Sequence, residues 1–245
     1  IVVNTDKSSL NVLAAGSLRK ALTPILSQFS QRHHVNINAQ FGPAGLLREQ
    51  IESGAEWDLF ASANQEHPQT LLDLGLAHSV MPFLRNKLCL TTHRARITPT
   101  TNWLDLLTDP SIIVGTSTPG CDPSGDYTWQ LFDRVEHHRS GAGEYLKLNA
   151  KQLVGGKGSL QVPATEIASA WLIRQGLADV FVGYAHYAQW LQNDADIAAV
   201  TIPDADNIFA TYALALHSDV AQPLAEYLLS NGVQQQFVSA GFSRR

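Results

Sequence analysis

The chain has 245 residues, of which 44% are hydrophobic and 16% are charged, and its formal net charge at pH 7 is −5. These values are typical of a folded globular protein with one large domain or two smaller lobes, and they exclude a disordered, fibrous or repeat protein. Lys and Arg are scattered along the sequence, so nothing indicates nucleic acid or an anionic membrane as a partner.

The first part of the chain alternates predicted strands with predicted helices. Alternating or continuous apolar residues predict strands at residues 10–15, 35–41 and 58–63. Apolar residues at helical spacing predict helices at residues 17–29, 45–53 and 68–74. Gly54 and Gly75 follow the last two of these and act as helix stops. This βαβαβ order predicts a parallel sheet with helices on its faces.

The remainder of the chain repeats the α/β pattern. Strands are predicted at residues 87–92, 111–117, 179–184, 198–203 and 208–216. Helices are predicted at residues 103–107, 127–135, 166–174, 221–230 and 233–241. No Gly/Ser-rich or Pro-rich linker separates the two α/β regions. We therefore expect two lobes joined by short strands, residues 1–86 with 208–245 and residues 87–207, with a ligand cleft between them.

The N-terminal segment and the two cysteines bear on the cellular compartment. No apolar run approaches the roughly 20 residues of a membrane-spanning helix, and residues 1–16 lack the charged start and long apolar core of a signal peptide. Cys89 and Cys121 have no CxxC spacing for zinc or redox chemistry. They are interpreted as a buried small residue and a loop thiol. A Cys89–Cys121 disulfide in an oxidising compartment is the alternative.

Two other patterns suggest chemistry without a complete motif. Ser17 and Lys20 match the Ser-x-x-Lys spacing of penicillin-binding proteins and serine β-lactamases, but the Ser-Asp-Asn and Lys-Thr-Gly elements are absent. Adjacent histidines occur at 33–34 and 137–138, but neighbours on a helix point about 100° apart and so supply one metal ligand per face. An acyl-transfer enzyme with a Ser17 nucleophile and a Lys20 base, and capture of a metal cation, remain alternatives.

Small residues recur where predicted strands lead into predicted helices. The segments with this pattern are residues 14–18, 41–47, 121–127 and 162–167. A helix N-terminus presents unpaired N–H groups and about half a positive charge, which makes it an anion receptor. In open α/β sheets the carboxyl edge, where such turns lie, is where ligands bind. The pattern therefore predicts an anion site.

The segments "LNVLAAGSLRKALTPILSQF", "FGPAGLLREQIESGAEWDLFASAN", "RNKLCL", "GTSTPGCDPSGDYTWQLF" and "GLADVFVGY" resemble, in order, the molybdate/tungstate-binding proteins of ABC importers. "IESGAEWDLFASAN" is similar to that family's Ile-Glu-x-Gly-x-x-Ala-Asp-x-Phe-x-Ser-Ala-Asp stretch. The resemblance implies an α/β, two-lobed type II periplasmic-binding-protein fold, each lobe a mixed sheet flanked by helices and joined to the other by two crossover strands. It also implies a periplasmic or extracytoplasmic, monomeric, non-enzymatic receptor that delivers its ligand to a membrane permease.

The resemblance implies a ligand set. The first family serine falls on Ser17 and the second on Ala44, the backbone donors fall on Ser124 and Ile167, and the tyrosine hydroxyl falls on Tyr184. With neighbouring donors added, the predicted ligand-binding residues are Gly16, Ser17, Ala44, Gly45, Ser124, Gly125, Tyr127, Glu166, Ile167 and Tyr184. Glu166 is either a direct ligand of the oxyanion metal or a solvated acid. No cofactor is expected.

The expected ligand is a tetrahedral oxyanion, molybdate or tungstate. These dianions only accept hydrogen bonds at neutral pH, so a matching site needs donors alone. At Ala44 a hydroxyl donor is missing, and the amides of Ala44 and Gly45 must replace it. Sulfate, a phosphonate and phosphate are the alternative ligands.

Overall fold

The structure is a computed structural model that describes residues 9–245, so residues 1–8 of the predicted first lobe lie outside the described residues. The chain divides into two compact units. The first unit contains the chain up to Arg85 together with Ala210–Arg245, and the second unit is Asn86–Phe209.

The described residues form strands and helices in alternation. The strands are β1 (Ser9–Ala15), β2 (Asn36–Gly42), β3 (Leu59–Ser62), β4 (Ser79–His93), β5 (Val114–Ser117), β6 (Lys151–Val154), β7 (Val180–Tyr184), β8 (Ile197–Thr201), β9 (Phe209–Leu216) and β10 (Ser243–Arg244). The α-helices are α1 (Arg19–His33), α2 (Ala44–Glu52), α3 (Glu66–Asp73), α4 (Trp103–Thr108), α5 (Pro123–His138), α6 (Ala142–Asn149), α7 (Ala168–Arg174), α8 (Ala188–Leu191), α9 (Gln222–Leu229) and α10 (Asn231–Ser239).

The first unit is built on a mixed sheet with the strand order β2-β1-β3-β9-β4. β1 pairs in parallel with both β2 and β3, while β9 pairs antiparallel with β3. The register places Ala15 opposite Gly42, and Ala14 opposite Ala61. The carboxyl ends of β1, β2 and β3 therefore meet at one edge, and the predicted parallel arrangement of these strands is confirmed.

The second unit has its own mixed sheet, to which β4 contributes its C-terminal part. β4 pairs antiparallel with β7 and β8, whereas β5 pairs in parallel with β6 and β7. The carboxyl ends of β5, β6 and β7 consequently lie at the same edge of this sheet. The mixed α/β fold class is as predicted.

Each unit contains an apolar cluster. In the first, Leu47 and Ile51 on α2 pack in one cluster with Phe60 and Leu71. Their spacing puts one face of α2 on the sheet, and Gly54, with a φ of 97°, ends the segment. In the second unit, α7 packs in a cluster with β7 and β8. No helix within residues 9–245 is long and apolar enough to span a membrane.

Several element boundaries differ from the predictions. β4 begins at Ser79, whereas the strand was predicted to begin at residue 87. The prediction started too late because Pro82 is a local signal against a strand. Ser17 lies in a 3₁₀ turn, Gly16–Leu18, that precedes α1. The helix expected from Glu166 begins at Ala168. The elements α6, β6 and α8 were not predicted. α6 buries only Gly143 and Leu146 and so shows no apolar stripe, β6 is not fully buried at any residue, and α8 has only four residues.

Candidate functional site

Two helix openings lie side by side at the carboxyl edge of the first unit's sheet. β1 leads from Ala15 into the 3₁₀ turn Gly16–Leu18, and β2 leads from Gly42 through Pro43 into α2. Ala15 and Gly42 are paired across the two strands, and neighbouring strands are about 4.8 Å apart. The register therefore makes the two openings neighbours.

The opening of α2 has no side-chain cap. Pro43 is the N-cap residue and makes no capping hydrogen bond. The first helical bond runs from the Leu47 amide to the Pro43 carbonyl at 3.0 Å. The amides of Ala44, Gly45 and Leu46 make no hydrogen bond with another described residue. Ala44 is fully buried and Gly45 is also buried. Buried amides at a helix start are strong hydrogen-bond donors to an anion.

The Ala44 side chain packs in the apolar core of the first unit. Its methyl group belongs to the cluster that contains Leu47 and Ile51. The contribution of this residue to an anion site is thus its backbone N–H.

Ser17 is buried and contacts a distant strand. Its Oγ lies 2.7 Å from the hydroxyl oxygen of Tyr212 on β9. The preceding residue, Gly16, is exposed, and a Cβ placed on it would meet no atom within 4 Å. The backbone at Gly16 is therefore open to a small anion, because no side chain shields it.

In the second unit, Asp122 caps α5. Its Oδ1 accepts a hydrogen bond from the Ser124 amide at 3.3 Å, and its Oδ2 accepts one from the Ser117 hydroxyl at 2.6 Å. The Gly125 amide donates to the Asp122 carbonyl at 3.0 Å. Burial raises the pKa of Asp122 to about 6. The amides of Ser124 and Gly125, predicted as anion donors, thus already have acceptors within the unit.

Two small residues, Ser124 and Gly125, lie at the start of α5. Ser124 is 6% exposed, and its hydroxyl makes no hydrogen bond with another described residue. A Cβ on Gly125 would lie 2.5 Å from the Pro119 nitrogen and 2.5 Å from the Thr118 carbonyl carbon. Glycine is required at 125 because the helix start packs directly on the preceding turn.

Tyr127 and Tyr184 lie together in the second unit. Both are buried, and their ring centroids are 6.4 Å apart in an edge-to-face arrangement. Ile167 is the N-cap residue of α7, and its amide makes no hydrogen bond with another described residue. Glu166 is solvent-exposed, and its amide donates to the Pro163 carbonyl at 3.0 Å. Its carboxylate therefore lies before the first turn of α7.

Two buried hydroxyls were missed by the sequence predictions. Ser169, in the first turn of α7, is 6% exposed, and its hydroxyl makes no hydrogen bond with another described residue. The sequence could have indicated Ser169, because it is a hydroxyl residue near the start of a predicted helix. Tyr212 is 195 positions from Ser17, so no local pattern connects the two.

The remaining sequence hypotheses concern thiols, metals and a lysine base. Cys89 and Cys121 are both free thiols, so the alternative of a disulfide is wrong. Burial raises the pKa of Cys89 to about 12. Within residues 9–245, no group of three or more His, Cys, Asp or Glu side chains is placed to hold a metal ion. Lys20 is solvent-exposed.

Comparisons with known proteins agree with this architecture. The sequence profile of the bacterial extracellular solute-binding proteins matches residues 10–243. The chain belongs to this family. The uncharacterized protein PM1146 of Pasteurella multocida is 40% identical to this chain over 230 residues, which are 94% of this chain and 95% of that protein.

Molybdate-binding members are also similar to the chain. The molybdate-binding protein ModA of Escherichia coli is 30% identical over 138 residues, covering 53% of each protein. The periplasmic molybdate-binding protein of Azotobacter vinelandii has the same fold, with a TM-score of 0.73 and 20% identity, over 96% of this chain and 99% of that one. The resemblance to ModA-like, type II periplasmic binding proteins is confirmed, and the chain is a solute-binding protein with molybdate-binding relatives.

Proposed function

We propose that this solute-binding protein captures a tetrahedral oxyanion, molybdate or tungstate, outside the cytoplasm and delivers it to the permease of an ABC importer. The observation that carries the proposal is the opening of α2, where the buried amides of Ala44 and Gly45 lack acceptors among the described residues. The Ser17 segment lies beside it in the strand register. Molybdate-binding relatives support the choice of ligand.

The chemistry of the first unit favours an anion that accepts hydrogen bonds at every oxygen. The donors at this edge are backbone amides and the Ser17 hydroxyl. A fully deprotonated dianion can be held by N–H and O–H dipoles without a counter-charge when its oxygens are all bonded. Hydrogen phosphate carries a proton that needs an acceptor, which these amides cannot supply. Molybdate and tungstate therefore suit these donors better than phosphate.

The proposal is binding without catalysis. A lysine that acts as a general base needs a lowered pKa, which requires burial or a nearby positive charge. Lys20 is solvent-exposed, which supports a receptor more than an acyl-transfer enzyme built on Ser17. Exposure of the protein to an acylating β-lactam, followed by intact-mass measurement, is expected to give no adduct on Ser17.

The test is a titration of the purified protein with sodium molybdate, tungstate, sulfate, chromate and phosphate, read by calorimetry and by thermal denaturation. A ligand that binds only the folded protein at 100 times its Kd adds about 2.7 kcal/mol to the free energy of unfolding. Molybdate or tungstate is expected to give the largest rise in melting temperature. If none of these anions binds at millimolar concentration, the proposed function is wrong.

Two variants, each with a matched control, test donors that the family resemblance implies. Ser17→Ala is expected to weaken molybdate binding, whereas Ser27→Ala on the exposed face of α1 is not. Tyr184→Phe is expected to weaken it, whereas Tyr145→Phe on α6, where the residue is 49% exposed, is not. Unchanged affinity in both Ser17→Ala and Tyr184→Phe would place the anion elsewhere.

A further inference from the structure

The contact between Tyr212 and Ser17 joins the core of the first unit to the opening before α1. Tyr212 is fully buried, and its hydroxyl lies 2.7 Å from Ser17 Oγ. The next residue, Ala213, pairs with Ser62, the last residue of β3. Tyr212 therefore lies at the same sheet edge as the carboxyl ends of β1 and β3.

The aromatic ring of Tyr212 packs against a neighbouring aromatic ring. It makes an edge-to-face contact with Phe242 at 5.6 Å between ring centroids. Phe242 in turn packs edge-to-face on Phe237 of α10 at 6.0 Å. These contacts involve the ring and not the hydroxyl, so a phenylalanine at position 212 keeps them.

The direction of this hydrogen bond decides what Ser17 can do for an anion. A serine hydroxyl has one proton and two acceptor lone pairs, and an oxyanion can only accept. If Ser17 donated to Tyr212, its proton would not be available to the anion. The phenolic hydroxyl, with a pKa near 10, is the more acidic group and the stronger donor. With Tyr212 donating, Ser17 Oγ accepts from one side and its proton points away from Tyr212.

We propose that Tyr212 is a positioning residue for oxyanion binding: its hydroxyl donates to Ser17 Oγ and directs the Ser17 proton to the anion. The inference rests on the proposed function, because it assigns a role within the same site. In this proposal Tyr212 acts on the affinity for the anion through the Ser17 hydroxyl, and the double-mutant cycle below measures that coupling.

The experiment is a double-mutant cycle with sodium molybdate, read as Kd by calorimetry. Tyr212→Phe is expected to weaken binding about fivefold, the size of one ordinary hydrogen bond. In the Ser17→Ala background the same change is expected to leave Kd unaltered. Tyr227→Phe is the matched control, because that hydroxyl bonds Gln28 Oε1 at 3.2 Å on the exposed surface of the same unit.

A second variant tests the direction of the bond and retains the hydroxyl if Tyr212→Phe proves unstable. Site-specific 3-fluorotyrosine at position 212 has a lower pKa and is a stronger donor. If Tyr212 donates, molybdate affinity is expected to rise; a fall in affinity would show Tyr212 to be the acceptor and would overturn the inference.

The outcomes separate the inference from the function on which it rests. If the unaltered protein binds molybdate and Tyr212→Phe binds it equally well, the inference is overturned and the proposed function stands. An equal loss of affinity with and without the Ser17 hydroxyl indicates a general structural effect and also overturns it. If the unaltered protein binds no oxyanion, both are overturned together.

Discussion

Ala44→Pro is the sharpest test of the α2 opening, because it deletes one amide donor and little else. Ala44 is the first residue of α2, where proline is well tolerated. Pro43 already has φ −60° and ψ 126°, the extended conformation required before a proline. The Ala44 amide makes no hydrogen bond with another described residue, so no internal bond of the described structure is lost.

The expected effects on folding and on binding are of different size. A proline that fits the native backbone stabilises a protein by about 0.4–1 kcal/mol through the unfolded chain. Crowding of the ring at this fully buried position opposes that gain, so the melting temperature should change by only a few degrees. A hydrogen bond to a charged group contributes about 1.5–3 kcal/mol. Its loss corresponds to a Kd weakened roughly 10- to 150-fold.

The assay is calorimetric titration with sodium molybdate, with thermal denaturation without ligand as the measure of folding. Asn231→Pro is the matched control. Asn231 is the exposed first residue of α10, and Ser230 before it has φ −65° and ψ 151°. The control is expected to bind molybdate as the unaltered protein does.

A folded Ala44→Pro protein with unaltered molybdate affinity would refute the reasoning. The α2 amide would then not contact the anion, whatever the family resemblance implies. If the control lost affinity equally, the effect would be a general one of proline at a helix start and not of the α2 donor.

Three further changes test the packing and the buried titratable groups of the two units. Gly125→Ala should lower the free energy of unfolding by about 2–3 kcal/mol, because the added Cβ meets the Pro119 backbone nitrogen at 2.5 Å; Gly232→Ala, with no atom within 4 Å, should not. His67, buried in α3, has its pKa lowered to about 4 by burial. The unfolded chain therefore binds the proton first, and stability falls by up to about 3 kcal/mol as pH drops from 6.5 to 4; His67→Leu should flatten this dependence in urea denaturation. The raised pKa of Asp122, about 6, has the opposite sign, so its contribution is present below pH 4 and lost as pH rises through 6. Asp122→Asn should raise stability at pH 7 by about 1 kcal/mol, and an unchanged urea midpoint there would contradict the assignment.

The fold was largely predictable, because local patterns carried it. Strand alternation followed by helical spacing gave β1, α1, β2 and α2 to within a few residues, and Gly54 marked the end of one helix. The extent of β4 was not predictable, since proline at position 82 is a local signal against a strand. In the structure, pairing with neighbouring strands outweighs that preference.

The candidate site was predictable in part. Small residues at strand-to-helix turns, together with the family resemblance, indicated Ser17, Ala44 and Gly45. The availability of each donor was not predictable. Asp122 was visible in the sequence, but only the folded chain shows that its carboxylate accepts the hydrogen bond of the Ser124 amide. The amides at Ala44 and Gly45 have no such acceptor among the described residues.

The sequence by itself determined the α/β class and the order of the elements, because these depend on residues that are close together in the chain. It also determined the family, because its segments match those of relatives in the same order. Tertiary structure alone decided which polar groups meet. Ser17 and Tyr212 are joined by a hydrogen bond across 195 positions. That contact depends on the pairing of β9 with β3, and hydrogen bonding acts over a few ångströms in space irrespective of separation along the chain.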